Sequence, residues 1–322
     1  TWRSRSSVKR LIKDGHVLVA ASRPEDAPAG HRARLTSRPP PLLAPKEEPV
    51  VEKRLGRKLL DKSIVVVMIP EEFRLDMDIS NTGPLDVVYE DDHVLIVNKP
   101  AGLVVHPSGR HLTDTLIQRM HKHFRSKDEG KDVPVKLCHR LDRETSGLVL
   151  AAKDPITHAA LVKAFEDREI DKRYLAVVHH HPDPHSGVID MELGPSNVSE
   201  VRLKISVQAG GWESVTEYET LETTTGKHGP LSLVACTPKT GRQHQIRVHL
   251  AAIGHPIVGD KLYGPSEEIF IRNAADELTP KDEAALILPR HALHNELLGF
   301  LHPATGKRVS VTCDLPVDMA GL

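Results

Sequence analysis

The chain has 322 residues, of which 39% are hydrophobic and 27% charged, and no apolar run approaches the roughly 20 residues that a membrane-spanning helix needs. These values argue against a membrane or disordered protein and predict a soluble globular chain, large enough for two domains. The three cysteines are far apart and show neither a disulfide framework nor metal-ligand spacing, which favours a cytoplasmic location.

The net charge of −1 conceals an uneven distribution along the chain. Residues 1–75 contain 16 Lys and Arg against 9 Asp and Glu, whereas the remaining residues contain 27 against 35. Residues 1–75, which we call the head, are basic and the rest of the chain is acidic. This asymmetry predicts that the head contacts a polyanion. A solvated basic tail explains the same charges equally well, so this alternative stays open.

The head begins with a short pattern of regular structure at residues 6–19. Apolar residues at helical spacing predict a short helix that ends at Gly15, and residues 16–19 predict a strand. The Arg- and Ser-rich start also has the composition of an organelle transit peptide, but the regular pattern makes a structured element the preferred interpretation. The candidate polyanion-binding side chains of this helix are Lys9, Arg10 and Lys13.

A Pro-rich stretch over residues 20–56 lacks periodicity and is expected to be an exposed insertion. Residues 62–72, "KSIVVVMIPEE", return to strand character, and "ISNTGPLD" (79–86) indicates a boundary. We therefore predict two domains, a small α/β head at 1–75 that carries the insertion and a main domain at 76–322.

The main domain opens with "DVVYEDDHVLIVNKP" (86–100), in which two β-branched runs flank an acidic turn and predict a hairpin. "LVLAAK" (148–153) predicts a strand, and Asp154 with Pro155 predicts the cap and first turn of a helix. Because helices and strands do not alternate regularly, we expect an α+β domain with a mixed, largely antiparallel central sheet and flanking helices. The other predicted elements are strands at 172–178 and 231–238, a helix in 241–256 that is stopped by Gly254, a helical insertion at 264–289, and a helix or strand followed by a final strand over 291–316.

Three polar groups of residues stand out where strands meet loops or helices, which is where functional sites concentrate. The first lies in "LCHRLDRETSGLVLAAK" (137–153), where Asp142 and its charged neighbours precede a buried strand. Charges in such a position are costly unless they are paired or have a chemical role. The second is Tyr174 at the head of a strand, and the third is "KTGRQHQIRVH" (239–249), with Arg242, His244, Arg247 and His249.

Each of these residues also has a purely structural interpretation. Asp142 is a plausible partner of a neighbouring arginine, and Tyr174 has the position of an ordinary half-buried strand tyrosine. A metal site is disfavoured, because His244 and His249 are five residues apart and no H-E-x-x-H pattern is present. A hydrolase nucleophile is disfavoured as well, because Ser146 is not part of a G-x-S-x-G turn.

The motifs taken together closely resemble those of the RluA/RluD-type pseudouridine synthases. They occur in the order found in that family, and five long ordered motifs are far more specific than one short pattern. Residues 6–19 more loosely resemble part of the small RNA-binding module first known from ribosomal protein S-four. The five motifs are "DVVYEDDHVLIVNKPAGLVVHPS" (86–108), "HRLDRETSGLVLAAK" (139–153), "KRYLAVV" (172–178), "TGRQHQIRVHLAAIGHPIVGDKLYG" (240–264) and "LHNELLGFLHPATGK" (293–307).

The resemblance implies a pseudouridine synthase fold that isomerises uridine to pseudouridine in RNA without a cofactor or a metal. It puts Asp142 at the catalytic aspartate and Arg247 at the arginine that pairs with the catalytic carboxylate. Tyr174 corresponds to the tyrosine that stacks on the target base, and a part in proton removal is left open for it. Arg140 corresponds to an arginine that fills the gap left by the extracted base. The further residues expected to bind substrate are His139, Lys172, Arg242 and His244.

The expected partner is RNA, with large-subunit ribosomal RNA as the preferred target. The family resemblance suggests a monomer, and the lack of a long apolar run predicts no membrane partner. Three alternatives stay open at this stage: a synthase that acts on tRNA, a non-catalytic RNA-binding or ribosome-assembly factor on the same fold, and a metal-dependent nuclease or hydrolase that uses the histidines. Whether Asp142 acts on the ribose as a base or as a nucleophile is also open.

Overall fold

A computed structural model describes residues 82–107, 113–127 and 133–322, together with short stretches of the head at 9, 12–13, 17–20, 50–51, 53 and 64–67. The chain divides into two compact units, Thr1–Asp78 and Ile79–Leu322. No helix in the described stretches is both long and apolar enough to cross a membrane.

The first unit contains an antiparallel sheet of three short strands in the order β2-β1-β3. These are β1 (Val17–Ala20), β2 (Val50–Val51) and β3 (Ile64–Val67). The prediction of an irregular insertion over 20–56 is therefore wrong at β2, because its two valines pair with Leu18 and Val19 of β1. The likeness of this unit to the S-four module stays a prediction.

The candidate RNA-binding residues of the head are described only in part. Lys9 and Lys13 are helical and exposed, as the amphipathic pattern predicts, while Arg10 lies outside the described residues. Two of the three candidate residues are therefore exposed, and the polyanion contact of this helix stays a prediction.

The second unit is built on a sheet of ten described strands, whose main path runs β4-β5-β7-β14-β8-β13-β12-β9, with β6 beside β7 and β15 beside β14. Only β7 and β14 pair in parallel, so the predicted mixed, largely antiparallel α+β fold is confirmed. A separate two-stranded sheet pairs β10 with β11. The strands are β4 (Val87–Glu90), β5 (Val94–Lys99), β6 (Lys136–Leu137), β7 (Ser146–Ala152), β8 (Asp171–His179), β9 (Ser186–Asp190), β10 (Leu193–Pro195), β11 (Ile205–Val207), β12 (Val215–Gly226), β13 (Gly229–Pro238), β14 (Leu293–Leu301) and β15 (Arg308–Thr312).

Six described helices accompany this sheet. The predicted helix cap is confirmed, since the Asp154 side chain accepts hydrogen bonds from the backbone N–H groups of Ile156 and Thr157. The 264–289 insertion is helical as predicted, and residues 291–316 form two strands, which is the strand alternative of that prediction. The helices are α1 (Leu116–Lys127), α2 (Pro155–Glu166), α3 (Gln245–Ala252), α4 (Glu268–Ala274), α5 (Pro280–Leu286) and α6 (Val317–Ala320).

Both faces of the central strands are buried, which explains their continuous apolar runs. In β5, Leu95 and Val97 pack in one core with α1, while Val94 and Ile96 pack in another core with Leu161 of α2. Alternate side chains point to opposite faces, so a strand covered on both sides needs apolar residues at every position. Helix α1 was not predicted, although its inward-facing Leu116, Met120 and Phe124 follow helical spacing.

Strand β7 is held close to β14 by one glycine of the "ETSGLVL" sequence. Gly147 has a φ of +110°, and a Cβ there would lie 2.3 Å from the carbonyl oxygen of Asn295. Any larger residue would force the two parallel strands apart or strain the backbone. The contact lies near the start of both strands, directly after the loop that carries Asp142.

Helix α3 is shorter than the predicted 241–256, because the first four of these residues form a loop and turn before it. His244 precedes the helix in the left-handed conformation, with a φ of +58°. The buried side chain of Gln245 accepts hydrogen bonds from Thr240 Oγ1 (2.7 Å) and Arg242 N (3.0 Å), which stabilises the turn. The predicted end is confirmed, since Gly254 follows the helix with a φ of +86°.

Candidate active site

The three residues predicted to act in catalysis come together at the centre of the sheet. Asp142 lies in the loop between β6 and β7, Tyr174 lies in β8, and Arg247 lies in the first turn of α3. Strand β14 separates β7 from β8, so the sheet brings the loop and the tyrosine to neighbouring positions. All three residues line one cavity of about 270 Å³, which we call the catalytic cavity.

Arg247 is the most fully bonded of the three. Its Nε and Nη2 donate to Asp260 Oδ2 (2.7 Å) and Oδ1 (2.9 Å), and its Nη1 donates to Asp142 Oδ2 (2.9 Å). The planar guanidinium group matches two carboxylates at once, which a lysine cannot do. The Arg247 side chain is only 8% exposed, so its orientation is fixed by these two acids rather than by solvent.

Asp260, which the sequence did not single out, is the second carboxylate bound by Arg247. Its side chain is fully buried, and its Oδ1 also accepts the backbone N–H groups of Leu262 and Tyr263, both at 3.0 Å. Burial by itself raises the pKa of this carboxyl, but the charge of Arg247 and these hydrogen bonds hold it far below its usual range. The only sequence signal was its place in "GDKLYG", at the end of the fourth motif.

Asp142 is ionised and has one oxygen available. Burial is the largest single influence and raises the pKa of this carboxyl, but the charge of Arg247, its hydrogen bond and the neighbouring histidines together outweigh burial, so the net pKa lies below its ordinary value. Oδ2 is occupied by Arg247, whereas Oδ1 accepts no hydrogen bond from the described residues. The side chain remains 24% exposed where it borders the cavity, which leaves Oδ1 accessible to a substrate.

His244 stands beside this carboxylate as a neutral ring. Its Nε2 lies 3.8 Å from Asp142 Oδ2, and its Nδ1 lies 2.8 Å from the hydroxyl of Tyr263. Burial and the charge of Arg247 lower the pKa of His244 to about 4. At neutral pH it therefore supplies a polar wall without a charge. Its left-handed backbone is of the sparsely populated kind that occurs at functional sites.

Tyr174 supplies an aromatic wall of the same cavity. Burial and the nearby charge of Asp142 raise the pKa of its hydroxyl above the ordinary value. It is thus a neutral phenol at physiological pH. Such a ring is suited to stacking against a planar base, and it is poorly suited to removing a proton.

The chain resembles known proteins over most of its length. The RNA pseudouridylate synthase family matches residues 93–252. The Ribosomal large subunit pseudouridine synthase D of Zymomonas mobilis is 39% identical over 73% of this chain and 71% of its own length. The chain is a member of the RluA/RluD-type RNA pseudouridine synthases. The enzyme is therefore an isomerase that converts uridine to pseudouridine, with RNA as its substrate.

Other comparisons agree with this family membership. The uncharacterised RNA pseudouridine synthase YlyB of Bacillus subtilis is 37% identical over 99% of this chain and 88% of its own length. The solved structure of Human RNA Pseudouridylate Synthase Domain Containing 4 is 26% identical and covers 73% of this chain and 90% of that chain, with a TM-score of 0.55.

The remaining residues expected to bind substrate also line the catalytic cavity of this synthase. The Nε2 atom of His139 accepts the backbone N–H of Leu150 at 3.0 Å, and the ring packs on Phe165. Because Nε2 is occupied, His139 offers the cavity the face of its ring rather than this nitrogen. Lys172 lies with its Nζ 5.8 Å from the centre of the Phe165 ring. Arg242 is exposed and precedes α3, where its Nε donates to the carbonyl of Glu213 at 3.1 Å.

Arg140 differs from the other arginines of the synthase site. Its side chain is exposed, and it forms no ion pair or hydrogen bond with the part of the chain that the structure describes. It lines the catalytic cavity and also a larger cleft on the other side of Asp142. A guanidinium group without an internal partner is available to a ligand.

Lys99, from the first motif, is a second residue of the enzyme that the sequence reasoning missed. It is completely buried, and its Nζ donates to the carbonyl oxygens of Pro100 (2.9 Å), Leu103 (3.0 Å) and Arg143 (3.0 Å). It thereby connects the end of β5 to the loop that carries Asp142. Burial lowers the pKa of this amine to about 7, although the charge of Asp142 acts in the opposite direction.

The histidines do not form a metal centre in the parts of the chain that are described. No group of three or more His, Cys, Asp or Glu side chains there is arranged to hold an ion. His249, for example, bonds through Nδ1 to Thr216 Oγ1 (2.9 Å) and through Nε2 to the carbonyl of Met191 (3.0 Å). This histidine of the fourth motif therefore has a structural role.

Proposed function

We propose that this synthase isomerises a uridine of large-subunit ribosomal RNA and that Asp142 is the carboxylate that acts on the flipped-out nucleotide. The observation that carries the assignment is the asymmetry of this carboxylate. Arg247 holds one oxygen, while the other has no partner among the described residues and borders a cavity with an aromatic wall. The name of the Zymomonas mobilis relative supports ribosomal RNA over transfer RNA as the target.

The reaction suits an ionised carboxylate in a restricted space. The target uridine first leaves its stack, at a cost of a few kcal/mol. Asp142 then acts on the ribose, as base or nucleophile, while the bond between N1 of uracil and C1′ breaks. After the base rotates, C5 bonds to C1′, C5 loses its proton and N1 gains one, so that substrate and product have the same composition.

The neighbouring side chains have separate tasks in this proposal. Tyr174 stacks on the uracil and keeps it in the cavity while it is detached, and its neutral phenol makes it a wall rather than the first base. Arg247 keeps the Asp142 carboxylate ionised and fixed in orientation, so little reorganisation is needed when the bond breaks. The unpaired Arg140 fills the gap that the extracted base leaves in the RNA.

The first test is a map of pseudouridine in cellular RNA, with and without this protein, after rescue by wild type or by Asp142→Asn. We expect one or more large-subunit sites to disappear on deletion and to return with wild type alone, because the amide removes both the charge and the nucleophile. Asp92→Asn, the same chemical change at an exposed acid, should rescue like wild type.

The possible outcomes separate the alternatives. Rescue by Asp142→Asn would remove Asp142 from the mechanism, and loss of a transfer RNA site in place of a ribosomal one would correct the target. If no site disappears although the protein still sediments with ribosomal particles, the proposed target and the catalytic role are both wrong, and a binding role is favoured.

A further inference from the structure

A second and larger cavity, of about 840 Å³, meets the catalytic cavity at Asp142, and we call it the flanking cleft. Its far wall is helix α4, which belongs to the 264–289 insertion and has no part in the chemistry described above. The volume lies within the range of about 300–1,000 Å³ in which proteins hold ligands of drug size. The two cavities share Arg140, Leu141, Asp142, His244 and Arg247.

The wall of the flanking cleft presents a ring beside two side-chain amides. Phe270, Asn273 and Ala274 all line the cleft, and their spacing on α4 puts them on one helix face. Gln243 lines the cleft from the turn before α3. The amides of Asn273 and Gln243 form no hydrogen bond with the described residues, and Asn273 is partly buried. Gln243 is exposed, so both amides are available to donate to and accept from a ligand in the cleft.

The wall is held rigidly, as a recognition surface requires. Ile269 anchors α4 in the core at 3% exposure. Arg272 donates through Nε and Nη2 to both oxygens of Asp282, at 2.8 and 2.6 Å, which connects α4 to α5. Glu267 accepts from Ser199 Oγ (2.5 Å) and pairs with Lys204, so the loop before β11 supports the wall from behind.

The charge distribution orients a ligand in the cleft. The 264–289 insertion contains six acidic and two basic residues, so it repels phosphate groups. The free guanidinium of Arg140 lies on the side of the cleft that carries Asp142. A polyanion that enters the cleft therefore directs its backbone towards Arg140 and its uncharged bases towards α4.

We propose that the flanking cleft binds the unpaired base next to the target uridine, with Phe270 as the stacking ring and with Asn273 and Gln243 reading the edge of the base. The proposal rests on the function assigned above and adds a specificity subsite to it. Unpaired bases offer RNA-binding proteins a planar face and a free edge, which a duplex hides. The insertion thus makes the enzyme select uridines whose neighbour is also unstacked.

The test uses a synthetic RNA that spans the mapped uridine, either intact or with an abasic ribose directly 5′ or 3′ of the target. For wild type we expect kcat/KM to fall about 10-fold at one of the two abasic positions, a typical effect for a stacked base. Phe270→Ala should lose a similar factor on intact RNA and should be insensitive to the abasic substitution. Ile271→Ala, on the exposed side of the same helix, is the matched control and should behave like wild type.

A second variant separates hydrogen bonding to the edge of the base from stacking on its face. Asn273→Ala should retain sensitivity to the abasic ribose but lose its preference among the four bases at that position. The proposal is overturned if wild type tolerates both abasic positions, or if Phe270→Ala is as sensitive to them as wild type. The ratio between the two RNAs is the readout, so it is distinct from the result of Asp142→Asn, which removes activity on both.

Discussion

The two cavities that meet at Asp142 are built in opposite ways. On the catalytic side, Arg247 uses three of its nitrogens on two carboxylates, and Asp260 has no exposure to solvent. On the flanking side, the amides of Gln243 and Asn273 have no partner among the described residues. Chemistry benefits from groups that are fixed before the substrate arrives, whereas recognition needs groups whose hydrogen bonds the substrate completes. In the arrangement that we propose, these two requirements fall on separate walls.

The largest effect should follow from removing the buried acid that fixes Arg247. Asp260→Asn leaves the shape but puts an amide against the guanidinium, so Arg247 loses its orientation and Asp142 loses a fixed partner. We expect kcat to fall by about 10²–10³, a range typical of losing one preorganised electrostatic group, and the free energy of unfolding to fall by about 3–5 kcal/mol. Single-turnover kinetics and chemical denaturation measure the two effects.

The control for this prediction is Asp190→Asn, the same change at an exposed acid of β9, which should leave both quantities unchanged. RNA affinity distinguishes a role in positioning Arg247 from a general loss of structure. Asp260 touches no solvent, so its substitution should leave RNA affinity unchanged if the role is positioning. An Asp260→Asn enzyme with wild-type kcat would show that Asp142 needs no fixed arginine.

A smaller effect concerns Lys99, a buried charge that is paired only with neutral carbonyls. Its pKa is lowered to about 7 in the folded enzyme, so above pH 7 the unfolded chain holds a proton that the folded chain has lost. The contribution of Lys99 to the free energy of unfolding is therefore lowest below pH 7, and it increases with pH until the pH reaches the ordinary lysine pKa. Relative to Lys99→Met, the wild-type free energy of unfolding should rise with pH by up to about 1.4 kcal/mol per unit.

Denaturation of both proteins at several pH values between 6 and 10 measures this difference. Lys136→Met is the control, since Lys136 is exposed in β6 and should give the same difference from wild type at every pH. A flat difference for Lys99→Met as well would mean that the Lys99 amine titrates like a solvated lysine.

The smallest effect is expected on the open side of the site. Arg140 is exposed and unpaired, so Arg140→Ala should change the free energy of unfolding by less than about 0.5 kcal/mol. RNA binding should weaken, and the slope of log affinity against log salt should fall by roughly one unit, as for the loss of one phosphate contact. Arg308→Ala, on the distant strand β15, should leave the slope unchanged; an unchanged slope for Arg140→Ala would mean that this guanidinium meets no phosphate.

Much of the fold was accessible from the sequence because the relevant interactions are local. The hairpin of β4 and β5 follows from two β-branched runs around a turn, and the start of α2 follows from Asp154 and Pro155. The limits of α3 were less predictable, because Gln245 reaches strand β12 to stabilise the turn before the helix, where its Nε2 donates to Thr216 Oγ1 at 2.9 Å. Contacts of this kind leave no periodic pattern in the sequence.

The sequence by itself determined the family, the α+β class, and the aspartate, tyrosine and arginine expected to act, because each lies in a motif whose order along the chain is visible. Only the tertiary structure decided how these residues are held. Arg247 meets Asp142 across 105 residues of sequence, and Lys99 meets the Arg143 carbonyl across 44. The flanking cleft likewise exists only because α4 packs opposite the Asp142 loop. Such pairings depend on where the sheet places distant segments, and burial then gives them their strength, since solvent no longer screens the charges.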